Sequence, residues 1–334
     1  MNRESRMTKN THVHRWVLLV GILISIVVAL HIGAMPIAVW PGLLGQDELA
    51  RQVLLEIRLP RVLLALLVGA GLGLAGAAMQ GLLRNPLAEP GILGVSSGSA
   101  LAAVVVLYFG IAGWHSLMLP ISAMLGSALA LFIVVTIAGL RASMTALILA
   151  GVAVSAFFSA LIALALSLSP SPFALQEINF WLLGSFAYRD LAHVGLVAVT
   201  VIPGALILLG RGRFLEGLTL GEESAAAMGF HVPRERLFVL IGTAVVVGGA
   251  VAVTGVIGFV GLIIPHLIRP LVRANPRALL LSSMLAAALL VLWMDMLAQV
   301  LPTTRELQIG VLSALVGGPF FLLLLLRAKR GYRL

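Results

Sequence analysis

Cysteine is absent from the 334 residues, which excludes a disulfide framework, a thiolate metal site and a cysteine nucleophile. Lysine is almost absent too, with only Lys9 and Lys329, both near the termini. No Gly-x-x-x-x-Gly-Lys-Ser/Thr string occurs, so the chain lacks the lysine that meets nucleotide phosphates in a P-loop. If ATP drives this protein, another polypeptide hydrolyses it. Charge is scarce: 10% of residues are Asp, Glu, Lys or Arg, against about 25% in a soluble domain. The seven histidines (His12, His14, His31, His115, His193, His231 and His266) show no H-E-x-x-H or other metal-ligand spacing. With no histidine cluster, thiol or buried acid pair, no catalytic constellation is visible and no enzyme is expected.

What the chain has in abundance is apolar sequence. Hydrophobic residues make up 60%, the mean hydropathy is +1.11, and apolar runs follow one another from Trp16 to Leu326. A helix needs about 20 such residues to cross a bilayer, so the expected fold is an all-α integral membrane protein. Ten spans are expected, at 16–38, 61–83, 91–110, 118–139, 144–168, 191–210, 236–257, 259–272, 278–297 and 307–326. They form one transmembrane domain over 16–326, between polar tails at 1–15 and 327–334. The basic tail followed by Trp16–Leu30 has the outline of a signal peptide. Apolar character resumes through Ile32 to Val39, so a retained first span is expected. The net charge of +9 sits in short clusters between apolar runs, which fits loop charges and not a nucleic-acid surface. With the N-terminus inside, seventeen Lys and Arg fall on the cytoplasmic side and only Arg51, Arg58, Arg61, Arg189 and Arg305 on the other. That bias supports both ends in the cytoplasm.

Several spans are short or broken. Asn85-Pro86-Leu87-Ala88-Glu89-Pro90 interrupts the second and third, and Gly258 to Pro270 is barely long enough to cross. Irregular backbone at membrane depth survives where protein or a water-filled cavity satisfies it, and paired breaks point to a transport pathway on inverted repeats. The blocks 61–168 and 236–326 are the expected pair, four spans each. Gly71-Leu72-Gly73-Leu74-Ala75-Gly76 matches the dinucleotide string G-x-G-x-x-G literally, but it lies inside an apolar span, where small residues serve close helix packing. His266, between Pro265 and Arg269 in a broken segment, is expected to hydrogen-bond exposed backbone. Asp295 is the one carboxylate inside a span, and pairing with Arg305 or capping a helix is expected of it. The polar loop 211–236 contains Leu220-Gly221-Glu222-Glu223-Ser224-Ala225-Ala226-Ala227-Met228-Gly229, which reads as a short helix with acids at its N-terminus and a glycine cap.

The strings Arg58-Leu59-Pro60-Arg61, Gly76 to Gln80, Asn85 to Val95 and Gly258 to Arg269 resemble the permeases that import iron siderophores, haem and cobalamin. Asp295, Glu306 and Gly317-Gly318-Pro319-Phe320 extend the resemblance, which runs from about 55 to 326. Gln299 stands where the family usually has arginine, and Gln308 where it tends to have proline.

The resemblance implies ten spans, a homodimer with a central pathway, two cytoplasmic ATPase subunits that bind ATP and Mg, and a periplasmic binding protein, all at a bacterial inner membrane. It implies no cofactor or metal on this chain itself. It makes Leu220, Gly221, Glu222, Glu223, Ala225, Ala226, Met228 and Gly229 the ATPase-coupling helix. It makes Asn85, Pro86, Leu87 and Ala142, Ser143, Met144 two cytoplasmic gates. Glu56, Arg58, Arg61, Arg189, Asp190 and Glu306 become candidates for docking the binding protein, with His266, Arg269 and Asp295 structural or pathway residues. The expected cargo is an iron chelate, haem or a ferric siderophore, with cobalamin the alternative. An ion-coupled secondary transporter is the competing class, disfavoured because such proteins commonly bury several carboxylates at mid-membrane.

Overall fold

The computed structural model describes residues 3–331, apart from 34, 116, 140, 141, 170, 274 and 302–305. Arg141 and Arg305, both counted among the loop charges, lie outside the described residues. Every regular element described is helical. The chain begins with α1 (Arg3–His31) and the short α2 (Val39–Leu43) and α3 (Glu48–Gln52). One π-helical turn, Val53–Arg58, joins α3 to α4 (Leu59–Leu82). After a 3-10 turn at Pro90–Leu93 come α5 (Val95–Tyr108), α6 (Met118–Ala138), α7 (Met144–Ser167), α8 (Pro172–Leu182) and α9 (Leu191–Gly210). The polar loop folds as α10 (Gly212–Thr219) and α11 (Glu222–Ala227). The chain then runs through α12 (Val232–Thr254), α13 (Val260–Ile268), α14 (Pro276–Val300) and α15 (Ile309–Gly331).

Among the described residues seven helices are long and apolar enough to cross a membrane, and each coincides with one of the expected spans. The remaining expected spans, 91–110, 259–272 and 307–326, hold the shorter apolar stretches of α5, α13 and α15. Helix starts follow ordinary capping chemistry. Ser143, Ser171, Asp190 and Asn275 each accept a hydrogen bond from the backbone N–H three residues on, and Pro172 and Pro276 occupy the first helical turn.

The centre of the molecule is α4, whose residues from Leu72 to Gln80 are all buried. Four glycines bring neighbours against it. A Cβ on Gly69 would meet Ala287 and Ala288 of α14, and one on Gly73 would meet Ala287 and Ser283. Gly71 faces Val246 of α12 and Val201 of α9, and Gly76 touches the backbone of Gly261 in α13. The G-x-G-x-x-G string is therefore a packing surface, as expected of small residues between membrane helices. Large apolar side chains such as Leu125, Phe132, Phe157, Val199 and Leu206 face outward, a surface suited to lipid and not to water.

Candidate functional site

The two interrupted stretches of the chain meet. Glu89, in the loop after α4, accepts a hydrogen bond at Oε1 from the Phe259 N–H at 2.7 Å. Phe259 has φ +65° and sits just before α13, where the first N–H groups of a helix have no partner within it. The carboxylate thus satisfies one of these orphan donors from the other half of the chain. Gln80, 1% exposed, completes the joint: its Nε2 donates to the Leu262 carbonyl (3.3 Å), and its Oε1 accepts from Arg269 Nη2 (2.6 Å). Pro265 inside α13 removes a further backbone donor. His266 departs from expectation: its Nδ1 is buried without a hydrogen-bond partner, and its ring packs edge-on to Phe320 of α15. Beside the joint lies a cavity of about 340 Å³, lined by Gly91 and Val256 from the two breaks and by Ser96, Ser97, Ser155 and Ser159.

At the arginine-rich end, α11 forms as a two-turn knob with Glu222 and Glu223 in its first turn. Gly229, at φ +91°, provides the left-handed termination, its N–H bonded to the Ala226 carbonyl at 2.9 Å. Leu220 (72% exposed), Met228 (57%), Glu222, Glu223 and Ala226 face outward. Ala225 does not: it is fully buried, packed on Gly217 of α10, so it supports the knob and is not part of its outer face. Under the knob, α10 buries Phe214, Leu215 and Leu218, and Asn275 at the start of α14 donates to Glu216 (2.7 Å).

The two candidate gates are at the same end. Asn85–Leu87 is an Asx-type turn, with the Leu87 N–H bonded to Asn85 Oδ1 at 2.9 Å. Ser143 caps α7, and the Ala142 carbonyl before it accepts from Arg236 Nη1 at 2.7 Å. Arg236 Nη2 reaches Glu222 Oε1 of the knob at 2.9 Å.

At the opposite end, Arg61 ties three elements together. Its guanidinium donates through Nε and Nη2 to Asp295 of α14 at 2.8–3.0 Å, and through Nη2 to Glu306 before α15. Gln299 Nε2 adds a third donor to Asp295 (2.9 Å). Asp295 is thus held from α4 across the helix interface; Arg305, its expected partner, is outside the described residues. Arg58 donates to the Leu30 and Met35 carbonyls (2.5 and 2.6 Å), which closes the C-terminal end of α1. Both arginines are buried, at 5% and 9% exposure, so as placed here their charge is committed inward. Arg58, Arg61, Gln299 and Glu306 nevertheless line one cavity of about 330 Å³. Arg189 turns its Nε to the Val253 carbonyl (2.7 Å), while Asp190 stays exposed as the cap of α9. Its carboxyl is held below the usual range by the His193 side chain and N–H. Glu56 is exposed on the π-helical turn, apart from the Arg61 cluster.

Sequence reasoning passed over Gln80, Glu89 and Arg236 as individuals. The available signal was polarity out of place: a glutamine and a glutamate flanking a helix break, and an arginine at the start of an apolar helix. Among the described residues no group of three His, Asp or Glu is arranged to hold a metal ion.

A family model described as the FecCD transport family matches residues 17–327. The molybdate import system permease protein MolB of Haemophilus influenzae is 38% identical over 285 residues, 85% of this chain and 84% of its own. The hemin transport system permease protein HmuU of Yersinia pestis is 36% identical, covering 82% and 83%. The vitamin B12 import system permease protein BtuC of Pectobacterium atrosepticum is 37% identical, covering 93% of each. A solved structure assigned to the metal-chelate type of ABC transporter, in an inward-facing conformation, superposes with a TM-score of 0.86 at 37% identity, over 94% of this chain and 98% of that one.

Proposed function

The chain belongs to the FecCD transport family, and from that premise we propose that it carries an iron chelate, haem or a ferric siderophore, into the bacterial cytoplasm by alternating access. As a permease of an ABC importer it is a non-catalytic, multi-pass membrane subunit that works with an ATPase and a binding protein. In our reading two copies form a homodimer around a central pathway in the inner membrane, with both termini cytoplasmic. Two ATPase subunits, which hold ATP and Mg, dock at the arginine-rich end, and a periplasmic binding protein docks at the other.

The observation that carries this reading is α11, a short acid-tipped helix with Leu220, Ala226 and Met228 exposed on the face where the positive-charge bias puts the cytoplasm. Exposed Leu220, Ala226 and Met228 suit a groove on a partner, and no nucleotide-binding lysine motif is present in the chain itself.

Ten crossings are supported by simple lengths. The four non-helical residues 255–258 reach at most about 14 Å, and the nine helical residues of α13 add about 13 Å. Together they come close to the ~30 Å hydrocarbon core. The inverted repeat is supported by reciprocal packing. The first block runs α4, break, α5, α6, α7, and the second α12, break, α13, α14, α15. In the first, α4 packs on α12, α13 and α14; in the second, α12 packs on α4, α5 and α6. Such a pair of packed halves, each with a broken helix, is the form in which rocking opens one side at a time. The serine-lined cavity between the breaks is our candidate wall of the pathway, with Asn85–Leu87 and Ala142–Met144 as its cytoplasmic gates. Glu56, Asp190 and the cavity around Arg58, Arg61 and Glu306 form the docking side.

The relatives named for molybdate, hemin and vitamin B12 stand at nearly equal identity, so cargo is decided by assay. The chain is purified in mild detergent with its ATPase, reconstituted in vesicles, and given its binding protein loaded with haem, a ferric siderophore, cobalamin or molybdate. The expected result is ATPase in equal amount and turnover raised by an iron chelate. Stimulation by cobalamin or molybdate alone would replace the cargo, and uptake without any ATPase would replace the transporter class.

A further inference from the structure

Arg236 is an unusual residue for its place. It lies at the start of an apolar membrane helix, 5% exposed, and neither of its bonded partners belongs to its own helix. Burying a guanidinium is costly unless it is paired and hydrogen-bonded. Here one arm reaches the Ala142 carbonyl at 2.7 Å and the other the Glu222 carboxylate at 2.9 Å, while Nε is left without a partner. The two acceptors are 80 positions apart in the chain, and they come from the two features that an importer must connect. Glu222 is the first residue of the exposed knob α11, and Ala142 immediately precedes Ser143, the cap of α7.

We propose that Arg236 is the positioning residue that transmits movement of the knob to the Ala142–Met144 gate, acting as a two-armed strut between Glu222 and the Ala142 carbonyl. This rests on the reading of α11 as the ATPase-coupling helix. The planar guanidinium has its donors in a fixed fork, so displacing the acceptor on one arm displaces the acceptor on the other. A lysine keeps the buried positive charge but has a single rotatable head, and cannot hold two acceptors in fixed relation. The strut is local and stiff. The knob itself is braced separately: Ala225 packs on α10, and α10 is bonded to α14 through Glu216 and Asn275. Loss of the strut therefore leaves the knob in place and disconnects it from the gate.

The absence of cysteine makes the test direct, because one introduced thiol is the only thiol on the chain. Thr145→Cys puts a label site on an exposed position in the first turn of α7, next to the gate. Its labelling rate is measured in the reconstituted complex with and without ATP and vanadate, in the Arg236 parent and in Arg236→Lys and Arg236→Gln. ATPase co-purification and uptake are measured alongside. The expected result is a nucleotide response in the parent that is lost in both variants, with the ATPase still bound and hydrolysing and uptake down about tenfold, the size of an ordinary coupling free energy. If Arg236→Gln does not fold, Arg236→Lys alone carries the comparison. A response that survives unchanged in Arg236→Lys overturns the strut. Loss of the bound ATPase in that variant also overturns it, and makes Arg236 part of the docking surface. No nucleotide response in the parent overturns the strut together with the coupling reading of α11.

Discussion

Arg61 shows how a buried charge is kept at the end of a membrane helix. Its side chain and that of Asp295 are 11% and 2% exposed, and the pair is completed by Glu306 and by the amide of Gln299. Removing one partner of a buried pair costs about 3–5 kcal/mol, of which Glu306, still bonded to Arg61 once Asp295 is lost, offsets a part. Asp295→Ala is therefore expected to lower the thermal unfolding midpoint of the detergent-solubilised protein strongly. Glu306→Gln, at a position more than a third exposed, should lower it only slightly. A double change of Arg61 and Asp295 to apolar residues of similar volume should recover much of the loss, and failure to do so would mean that the charges serve more than each other. Glu89 gives a second test at this scale. Glu89→Gln keeps an oxygen for the Phe259 N–H, whereas Glu89→Ala strands that donor at a cost of about 1–3 kcal/mol. The alanine variant should be the less stable of the two in the same melt.

Among the elements, α4 decides the packing. Its glycines admit the backbones of α13 and α14 at distances that no side chain permits. Gly76→Ala would drive a methyl group into Gly261, where both sides of the contact are backbone and neither yields cheaply. Overpacking of this kind costs about 1–3 kcal/mol or more, and the expected outcome is loss of the monodisperse peak in detergent size-exclusion chromatography. Gly195→Ala, in α9 with open space around the added atom, is the control and should be neutral or slightly stabilising. The broken elements follow a different rule. The stretch before α13 can leave the helix because Glu89, Gln80 and Arg269 supply what its backbone and neighbours lose.

For the whole molecule, the question is how events at one end reach the other. Switching by rigid bodies needs contacts that differ between states, and α11, with Leu220 and Met228 exposed beside it, is the surface proposed to meet the ATPase. Ala226→Arg adds a long charged side chain to its outer face without touching the buried Ala225 beneath. The expected outcome is a chain that melts like the parent, fails to retain the ATPase on purification and loses uptake. Wild-type assembly and uptake in that variant would remove α11 from the coupling surface.

The sequence by itself determined the class and most of the layout. Apolar runs of span length, the placement of arginines and the helix-breaking Asn85-Pro86 position are local properties, fixed by transfer free energies and backbone chemistry. The acidic start and glycine stop of α11 are local as well, and the structure has them where the pattern put them. Only the tertiary structure decided the pairings. Arg61 finds Asp295 across 234 positions, Glu89 finds Phe259 across 170, and Arg236 bridges Ala142 and Glu222. The same holds for orientations: His266 packs on Phe320 and leaves Nδ1 unbonded, Ala225 turns inward, and Arg58 and Arg61 direct their charge into the protein. No periodicity encodes these, because a buried polar group takes whichever partner the packing of distant helices brings within reach.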